Sequence, residues 1–440
     1  MPAFAAPEHN ARPMNPELLA PAGSLKMAQT AFDFGATAIY CGQPRYSLRV
    51  RNNDFGDLVK LGDAIDLAHA YRGQCYVVSN IYPHNAKLKT YLADMEPVVA
   101  LKPDALIMAD PGLMLMVRET WPEMAIHLSV QANTVNHAAV RFWQSVGVRR
   151  VILSRELSLD EIAEIRQHCP DIELEVFVHG ALCVAYSGRC LLSGYFNHRD
   201  PNQGTCTNSC RWSYDVKPAA ENPAGDVWLI EEETRPGELM PIEEDEHGTY
   251  ILNSKDLRAI EYIDRLVACG IDSLKIEGRT KSAYYVARTC QAYRGAIDDA
   301  LAGRKFDARR VTQLDDLANR GYTAGFYERH PDRDYQNYLT GLSQMGASQY
   351  VGDVGDYRDG WAEIDVKNRF AVGDRLEVIH PDGNSIVAVE HMEKLGADGT
   401  ARAVDCAPGS GHRVRIPLPE GKTGAYLARL SITTRPDNAT

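Results

Sequence analysis

The chain of 440 residues is 45% hydrophobic and 24% charged, an ordinary globular composition with enough length for one large domain and a smaller one. It has no run of 18 apolar residues and its start lacks the basic-then-apolar pattern of a secretory leader, so we expect a cytoplasmic protein with no membrane partner. The formal net charge of -12 argues against nucleic acid, but ten acidic residues and one arginine fall between Glu221 and Glu246, and the remainder is nearly balanced.

Short apolar runs alternate with helical patterns from residue 16 onward. The first unit is the run ELLAPAG (17–23) and a helix that starts after Ser24 and stops at Gly35. Similar runs follow at 37–42, 74–80, 105–110, 125–133, 150–157, 173–180 and 272–279. Eight such strands predict an α/β protein with a TIM-like (β/α)8 barrel, and an open doubly wound sheet is the alternative.

A long insertion separates the seventh run from the eighth. It contains a cysteine-rich loop (181–212) and an acidic segment (216–248), followed by the helical pattern SKDLRAIEYIDRLVACG. The run GTYILN before that helix is an alternative barrel strand. We assign residues 16–345 to this catalytic domain and residues 1–15 to a disordered tail. From residue 346 to 440, short alternating runs between turn residues predict a small β-barrel domain.

Four of the ten cysteines lie within 28 residues of the loop: Cys183, Cys190, Cys206 and Cys210. Disulfides are disfavoured because thiols stay reduced in the cytoplasm. Six residues separate the first pair, which is too wide for a zinc knuckle, whereas an iron-sulfur cluster tolerates irregular spacing. The pattern favours a cluster and leaves zinc or unrelated thiols as alternatives. The six scattered cysteines are expected to be small buried residues.

The cysteine loop leaves the C-terminal end of the seventh strand, the face on which such barrels carry their active sites. His179 and Glu277 stand at strand ends on the same face. Arg279 and Lys281 precede a helix whose N-terminus favours an anion. The stretch RYSLRVRN interleaves Tyr46 with three arginines in a mixture that suits phosphates and bases: Arg45, Arg49 and Arg51.

Several of these stretches resemble a known family. EVFVHGALCVAYSGRCLLS and ELLAPAGSLKMAQTAFDFGATAIYCG are similar to the signature and the opening of the collagenase-like peptidase family U32, with coverage from about residue 16 to the C-terminus. EEDEHGTYILNSKDLRAI and SLKIEGRTKSAYYVARTCQAYRGAIDDA resemble the members of that family that hydroxylate tRNA. The sequence offers no residue pattern that would carry proteolysis.

The resemblance implies a 4Fe-4S cluster on the four loop cysteines. It also implies oxygen-independent hydroxylation of the tRNA wobble uridine to 5-hydroxyuridine, with prephenate as co-substrate. On this reading we expect Lys255, Arg279 and Lys281 to hold prephenate, and His179 or Glu277 to move the proton. The three arginines of RYSLRVRN would contact tRNA phosphates. An electron donor and cluster-assembly proteins are further candidate partners.

Three other functions stay open on the sequence. The chain could be a peptidase of the U32 type, as the family name says. It could hydroxylate another RNA or a quinone precursor. It could also bind tRNA or carry a cluster without catalysing the reaction itself.

Overall fold

Seven parallel strands follow one another along the first part of the chain. The computed structural model describes residues 15–42, 45–47, 53–181, 185–186, 189–190, 214–218, 228–232, 239–245, 248–251, 255–319, 321–328, 348–396, 400–419 and 421–430. Between residues 182 and 254 it describes the backbone of the strands and not their side chains. The seven strands are β1 (Glu17–Pro21), β2 (Ala38–Gly42), β3 (Gln74–Ser79), β4 (Ala105–Met108), β5 (Ile126–Leu128), β6 (Arg150–Ile152) and β7 (Glu173–Ala181).

Six helices alternate with these strands. They are α1 (Leu25–Asp33), α2 (Leu58–Ala70), α3 (Asn85–Ala100), α4 (Pro111–Thr120), α5 (His137–Ser145) and α6 (Leu159–His168). Side chains accept the free N–H groups where several of them begin: Ser24 accepts from the Met27 amide, and Ser158 and Glu161 form a capping box. These polar caps help to fix where the capped helices begin.

The residues that the structure describes in the insertion after β7 form strands. A short hairpin of two strands, β8 (Ala185–Tyr186) and β9 (Arg189–Cys190), precedes a four-stranded antiparallel sheet. That sheet consists of β10 (Tyr214–Pro218), β11 (Trp228–Glu232), β12 (Leu239–Asp245) and β13 (Gly248–Ile251). The run GTYILN therefore pairs with β12 and is not a barrel strand.

The helix predicted over residues 254–270 was too long. Its first part forms β14 (Asp256–Arg258), which pairs antiparallel with the end of β7, and a 3-10 turn follows at Ile260–Tyr262. Only α7 (Ile263–Ala268) is α-helical. The extended end of β7 offers backbone partners to residues 256–258, and this pairing overrides their helical pattern.

β15 (Ser273–Ile276) closes the barrel. It pairs in parallel with β1 on one side and with β7 on the other, so eight parallel strands form a closed ring. The predicted TIM-like barrel is confirmed, and the open-sheet alternative is wrong. After it come α8 (Ala283–Leu301), α9 (Arg309–Asp315) and β16 (Tyr322–Thr323), which pairs with β14. We call the C-terminal ends of the barrel strands the barrel mouth.

The C-terminal part of the chain is an antiparallel β domain, as predicted. Its strands are β17 (Ser348–Arg358), β18 (Trp361–Val366), β19 (Phe370–Ala371), β20 (Arg375–Ile379), β21 (Ser385–Ala388), β22 (Glu393–Leu395), β23 (Ala401–Ala403), β24 (Cys406–Ala407), β25 (Arg413–Pro417) and β26 (Tyr426–Leu430). Eight of them form one sheet in the order β21-β20-β26-β17-β18-β25-β22-β23, and β19 pairs with β24.

The β domain packs against the outer face of α1 and α8. The hydroxyls of Thr30 and Tyr426 lie 2.7 Å apart, and the rings of Tyr284 and Tyr350 stack with centroids 4.6 Å apart. These contacts bury the helix pair between barrel and β domain. Among the described residues, no helix combines the length and the apolar character that crossing a bilayer requires.

Candidate active site at the barrel mouth

The barrel interior is lined by charged residues that neutralise one another. Arg150 of β6 reaches across to Glu17 of β1 (2.5 Å) and also contacts Glu175 of β7 (3.3 Å). Lys275 of β15 lies 2.8 Å from the other oxygen of Glu175, whose side chain is fully buried. Buried charges are tolerated only when paired, so this network is a structural base beneath the mouth.

Two aromatic rings enclose the Lys275 ammonium. Its Nζ atom lies 4.4 Å from the ring centroid of Tyr40 on β2 and 5.4 Å from that of Phe177 on β7. Burial lowers the pKa of Lys275, although the carboxylate of Glu175 opposes that change. β2 and β7 are separated by β15 and β1 in the ring, so Lys275 contacts aromatic rings from two strands that do not pair with each other.

Glu277 follows β15 directly and is buried. Its carboxylate accepts a hydrogen bond from the Tyr40 hydroxyl at 2.8 Å. Its backbone is fixed as well, since its amide donates to the His179 carbonyl (2.8 Å) and its carbonyl accepts from the Tyr285 hydroxyl (2.7 Å). A carboxylate held at this position can accept a proton, so the structure is compatible with the predicted role of Glu277.

His179 is completely buried next to α8. Its ring is surrounded by the rings of Tyr285, Tyr293 and Tyr322, with centroids 5.4 to 5.8 Å away. The single Tyr293 hydroxyl proton goes to the Val178 carbonyl (2.7 Å), so His179 Nδ1 donates to the Tyr293 oxygen (3.3 Å). The Nε2 atom then carries a lone pair for which the described residues provide no hydrogen-bond partner.

This environment keeps His179 neutral. Burial, with a smaller contribution from the charges of Arg258 and Lys281, lowers the pKa of His179 to about 3. The backbones of His179 and Glu277 are hydrogen-bonded, but the imidazole packs among tyrosines while the carboxylate bonds to Tyr40. A proton-transfer role for His179 stays a prediction.

Arg279 is a buried cation for which the described part of the chain provides no acidic partner. Its side chain contacts are a hydrogen bond from Nη1 to the Ser47 hydroxyl (3.0 Å) and the Tyr40 ring, 5.6 Å from the guanidinium carbon. Only 8% of the residue is exposed, and no acceptor for Nε exists within the described ranges. A side chain at Gly42 would lie 2.5 Å from Nη1, so the glycine makes room for the guanidinium. A buried unpaired guanidinium favours an anionic ligand.

A second arginine at the mouth was missed by the sequence analysis. Arg155 follows β6, and its guanidinium carbon lies 4.0 Å from the Phe177 ring centroid. In the part of the chain that the structure describes, Arg155 has no ion pair. The run RVILSREL contains this arginine just after the strand, at the end that faces the barrel mouth. The sequence alone did not show that the Arg155 side chain covers the Phe177 ring, which lies beside Lys275.

The other predicted basic residues lie in separate surroundings. Lys281 extends over the Tyr285 ring (5.5 Å), and the Lys255 stem lies beside Gly321. Arg45 pairs with Asp94 at 2.8 Å and lies 5.9 Å from the Tyr46 ring. Arg49 and Arg51 lie outside the described residues. Arg45 therefore has an acidic partner of its own, whereas Arg279 bonds to the Ser47 hydroxyl.

The cysteine loop begins directly beside this site. Gly180 has a φ of +106°, and a Cβ there would lie 2.4 Å from the Glu277 carbonyl oxygen, so the chain leaves β7 through a position that only glycine fits. Cys190 ends the short hairpin, with its backbone opposite Ala185. Cys183, Cys206 and Cys210 lie outside the described residues.

Six cysteines lie outside the cysteine-rich loop. As predicted, Cys41, Cys75, Cys169 and Cys290 are buried, whereas Cys269 and Cys406 are partly exposed. Burial raises the pKa of Cys290 above its usual range and that of Cys269 to about 11. Both groups therefore stay protonated near neutral pH, whereas metal binding needs the thiolate.

Comparison with known proteins identifies the family. Residues 23–337 match Peptidase family U32, and residues 347–429 match the Peptidase family U32 C-terminal domain. The chain therefore belongs to Peptidase family U32, and the resemblance seen in the sequence is confirmed.

Two curated relatives extend over nearly the whole chain. It is 56% identical to tRNA hydroxylation protein P of Escherichia coli (strain K12), over 92% of this chain and 94% of the relative. It is 53% identical to tRNA hydroxylation protein P of Haemophilus influenzae, with the same coverage. A solved U32 peptidase aligns with 64% of this chain and 99% of its own, at 16% identity and a TM-score of 0.36.

Proposed function

We propose that this protein is an enzyme of tRNA modification that converts the wobble uridine of tRNA to 5-hydroxyuridine. Two relatives that match nearly the full chain at more than half identity are tRNA hydroxylation proteins. The observation in the chain itself that carries the proposal is the pair of arginines at the mouth, Arg155 and Arg279, which face aromatic rings and have no acidic partner in the described part of the chain. Such a site suits an anionic substrate and an unstacked base.

The reaction replaces the C5 hydrogen of uracil by a hydroxyl group. This inserts one oxygen atom and removes two electrons from the base. We assign the oxygen to the hydroxyl group of prephenate. The C–O bond of that group would break as the C5–O bond of uracil forms, and the freed prephenate carbon would take up the hydrogen that leaves C5, so that the co-substrate gains the two electrons that the base loses. Arg279 and Arg155 would hold the prephenate carboxylates, and Glu277 would accept the C5 proton.

A 4Fe-4S cluster on Cys183, Cys190, Cys206 and Cys210 is the second part of the proposal. Four thiols in one loop match the number of cysteine ligands that such a cluster needs. The other six cysteines lie outside the loop, and four of those six are buried. When bound, the cluster would supply electron transfer or a Lewis-acidic iron. The residues of the mouth would bind and orient the substrate beside the loop that follows Gly180.

The cluster is tested on protein purified without oxygen. Iron and sulfide content and the visible spectrum are compared between wild type, Cys206→Ala and Cys406→Ala, a cysteine in the β domain. We expect about four irons per chain in the wild type and in the Cys406 variant, and loss of iron in the Cys206 variant. Zinc in place of iron, or equal iron in all three proteins, would contradict the assignment.

The activity is tested separately with unmodified tRNA and prephenate labelled with ¹⁸O in its hydroxyl group. Labelled 5-hydroxyuridine in the digested tRNA is the expected product. Unlabelled product would remove prephenate as the oxygen source while leaving tRNA hydroxylation intact, and no product with cluster-loaded enzyme would remove the activity. Arg279→Ala should raise the KM for prephenate at least about tenfold, since charge-assisted hydrogen bonds are worth roughly 1.5–3 kcal/mol. Arg72→Ala, on the exposed turn before β3, is the control.

A further inference from the structure

Two histidines and a glutamate come together on the helical layer outside the barrel. His137 is the first residue of α5 and is half-buried, while Glu164 and His168 are exposed and one turn apart on α6. One ligand atom from each of the three lies within 4.8 Å of the other two. The two imidazole rings stack with centroids 4.2 Å apart and an angle of 30° between their planes.

Hydrogen bonds between the two helices hold this arrangement. Arg141 of α5 donates from Nη2 to the His168 carbonyl at 3.0 Å, and the Cys169 thiol donates to the His137 carbonyl at 3.5 Å. The backbone of both histidines is therefore fixed by the opposite segment. The side chains of Glu164 and His168 are exposed and free to change rotamer, so the three donor atoms can approach the roughly 3 Å separations of ligands that sit about 2 Å from one ion.

We propose that His137, Glu164 and His168 form a binding site for a divalent first-row transition metal of the zinc, cobalt or nickel type. Imidazole nitrogen and carboxylate oxygen are the ligands these ions prefer, and three protein ligands leave a position for water. The C-terminal end of α6 favours a cation, but the N-terminal end of α5 opposes it, so the donor atoms themselves supply the affinity. The site shares no residue with the barrel mouth and does not depend on the proposed tRNA chemistry.

Metal binding here would join the start of α5 to the end of α6. The segment before α5 reaches the barrel mouth, where the Ser154 hydroxyl donates to the Asn133 side chain at 3.2 Å. An ion bound only by the folded chain stabilises it by mass action. Occupancy would therefore raise the thermal midpoint and hold the connection between β5 and α5 in place.

The test is a titration of the full-length protein with Co²⁺ at pH 7.5 without oxygen, by calorimetry and absorption. Any Co²⁺ bound by the loop cysteines is recognised separately, because thiolate ligation produces an intense near-ultraviolet charge-transfer band that a histidine and carboxylate site lacks. The proteins are wild type, His137→Ala, Glu164→Gln, His168→Ala and, as a control, His391→Ala, an exposed histidine of the β domain. Circular dichroism verifies the fold of each.

We expect wild type and the His391 variant to bind one Co²⁺ more than the His168 variant, without added charge-transfer absorption. Each of the three substitutions in the site should weaken Co²⁺ binding at least about tenfold. Substituting a residue that only hydrogen-bonds to a metal ligand already lowers metal affinity about 10- to 100-fold, and here the ligand itself is removed. The Co²⁺-dependent rise in thermal midpoint should vanish with it. Equal binding by wild type and the three site variants, or saturation only at millimolar Co²⁺, would overturn the proposal.

Discussion

Arg288 of α8 and Glu377 of β20 form a two-pronged ion pair between the barrel and the β domain. One Nη–Oε distance is 3.0 Å, and the second nitrogen bonds to the second carboxylate oxygen. The Arg288 side chain is 1% exposed and that of Glu377 is 16% exposed. The arginine therefore depends on the glutamate far more than the glutamate depends on the arginine.

That asymmetry predicts unequal effects of two substitutions. Glu377→Gln leaves a buried guanidinium unpaired and should cost about 3–5 kcal/mol of unfolding free energy. Arg288→Met keeps most of the buried volume, and Glu377 can reach water, so we expect a smaller loss. Urea unfolding of both variants measures this. Equal losses of unfolding free energy in the two variants would show that the unequal burial of Arg288 and Glu377 does not determine the cost of removing either partner.

The buried imidazole of His179 makes stability dependent on pH. Its folded pKa of about 3 lies below the unfolded value of about 6.5, so the unfolded chain binds the proton first and stability falls as pH drops from 7 towards 3. The group should account for a loss of about 2 kcal/mol between pH 7 and pH 5. His179→Phe should remove that part of the pH dependence. A variant with the wild-type slope would show that the imidazole is not buried in solution.

Gly180→Ala should disturb Glu277 directly. The new methyl group would meet the Glu277 carbonyl oxygen, at a backbone φ of +106° that disfavours any side chain. Gly303→Ala is a matched control, since Gly303 also has a positive φ but nothing within 4 Å of the added atom. We expect the control to cost about 1–2 kcal/mol of backbone strain and to retain activity. The Gly180 variant should lose more stability and most activity, and identical behaviour of the two variants would contradict the close packing at the exit of β7.

Because Arg45 pairs with Asp94, substitutions of these two residues should change tRNA binding in opposite directions. If Arg45 contacts tRNA, Arg45→Gln should weaken binding and reduce the slope of log affinity against log salt by about 1. Asp94→Asn should strengthen binding because it releases the guanidinium from its partner. Filter binding of tRNA over a range of salt concentrations measures both. An Asp94 variant that binds like the wild type would indicate that Arg45 has only a structural role.

The strands of the barrel were predictable because their apolar runs are local. ELEVFVHG and DSLKIEGR identified β7 and β15 even though Glu175 and Lys275 interrupt the apolar pattern. What the sequence could not show was that these two charges neutralise each other, because the contact joins residues 100 positions apart. The same reason explains the missed Arg155 and the overlong helix before α7, where pairing with a distant strand decides the local structure.

The register of β1 with β15 has a consequence for the order of folding. Glu17 and Ser273 are 256 positions apart, so the ring cannot close until most of the barrel domain has left the ribosome. At the usual rates of synthesis that delay lasts roughly 10 to 50 s. During that time one edge of β1 has no permanent partner, and the edge of β7 is likewise open from the time that this strand is made, so both are available for pairing with other chains. A nascent chain that stalls before residue 273 is therefore expected to aggregate rather than wait as a stable half-barrel.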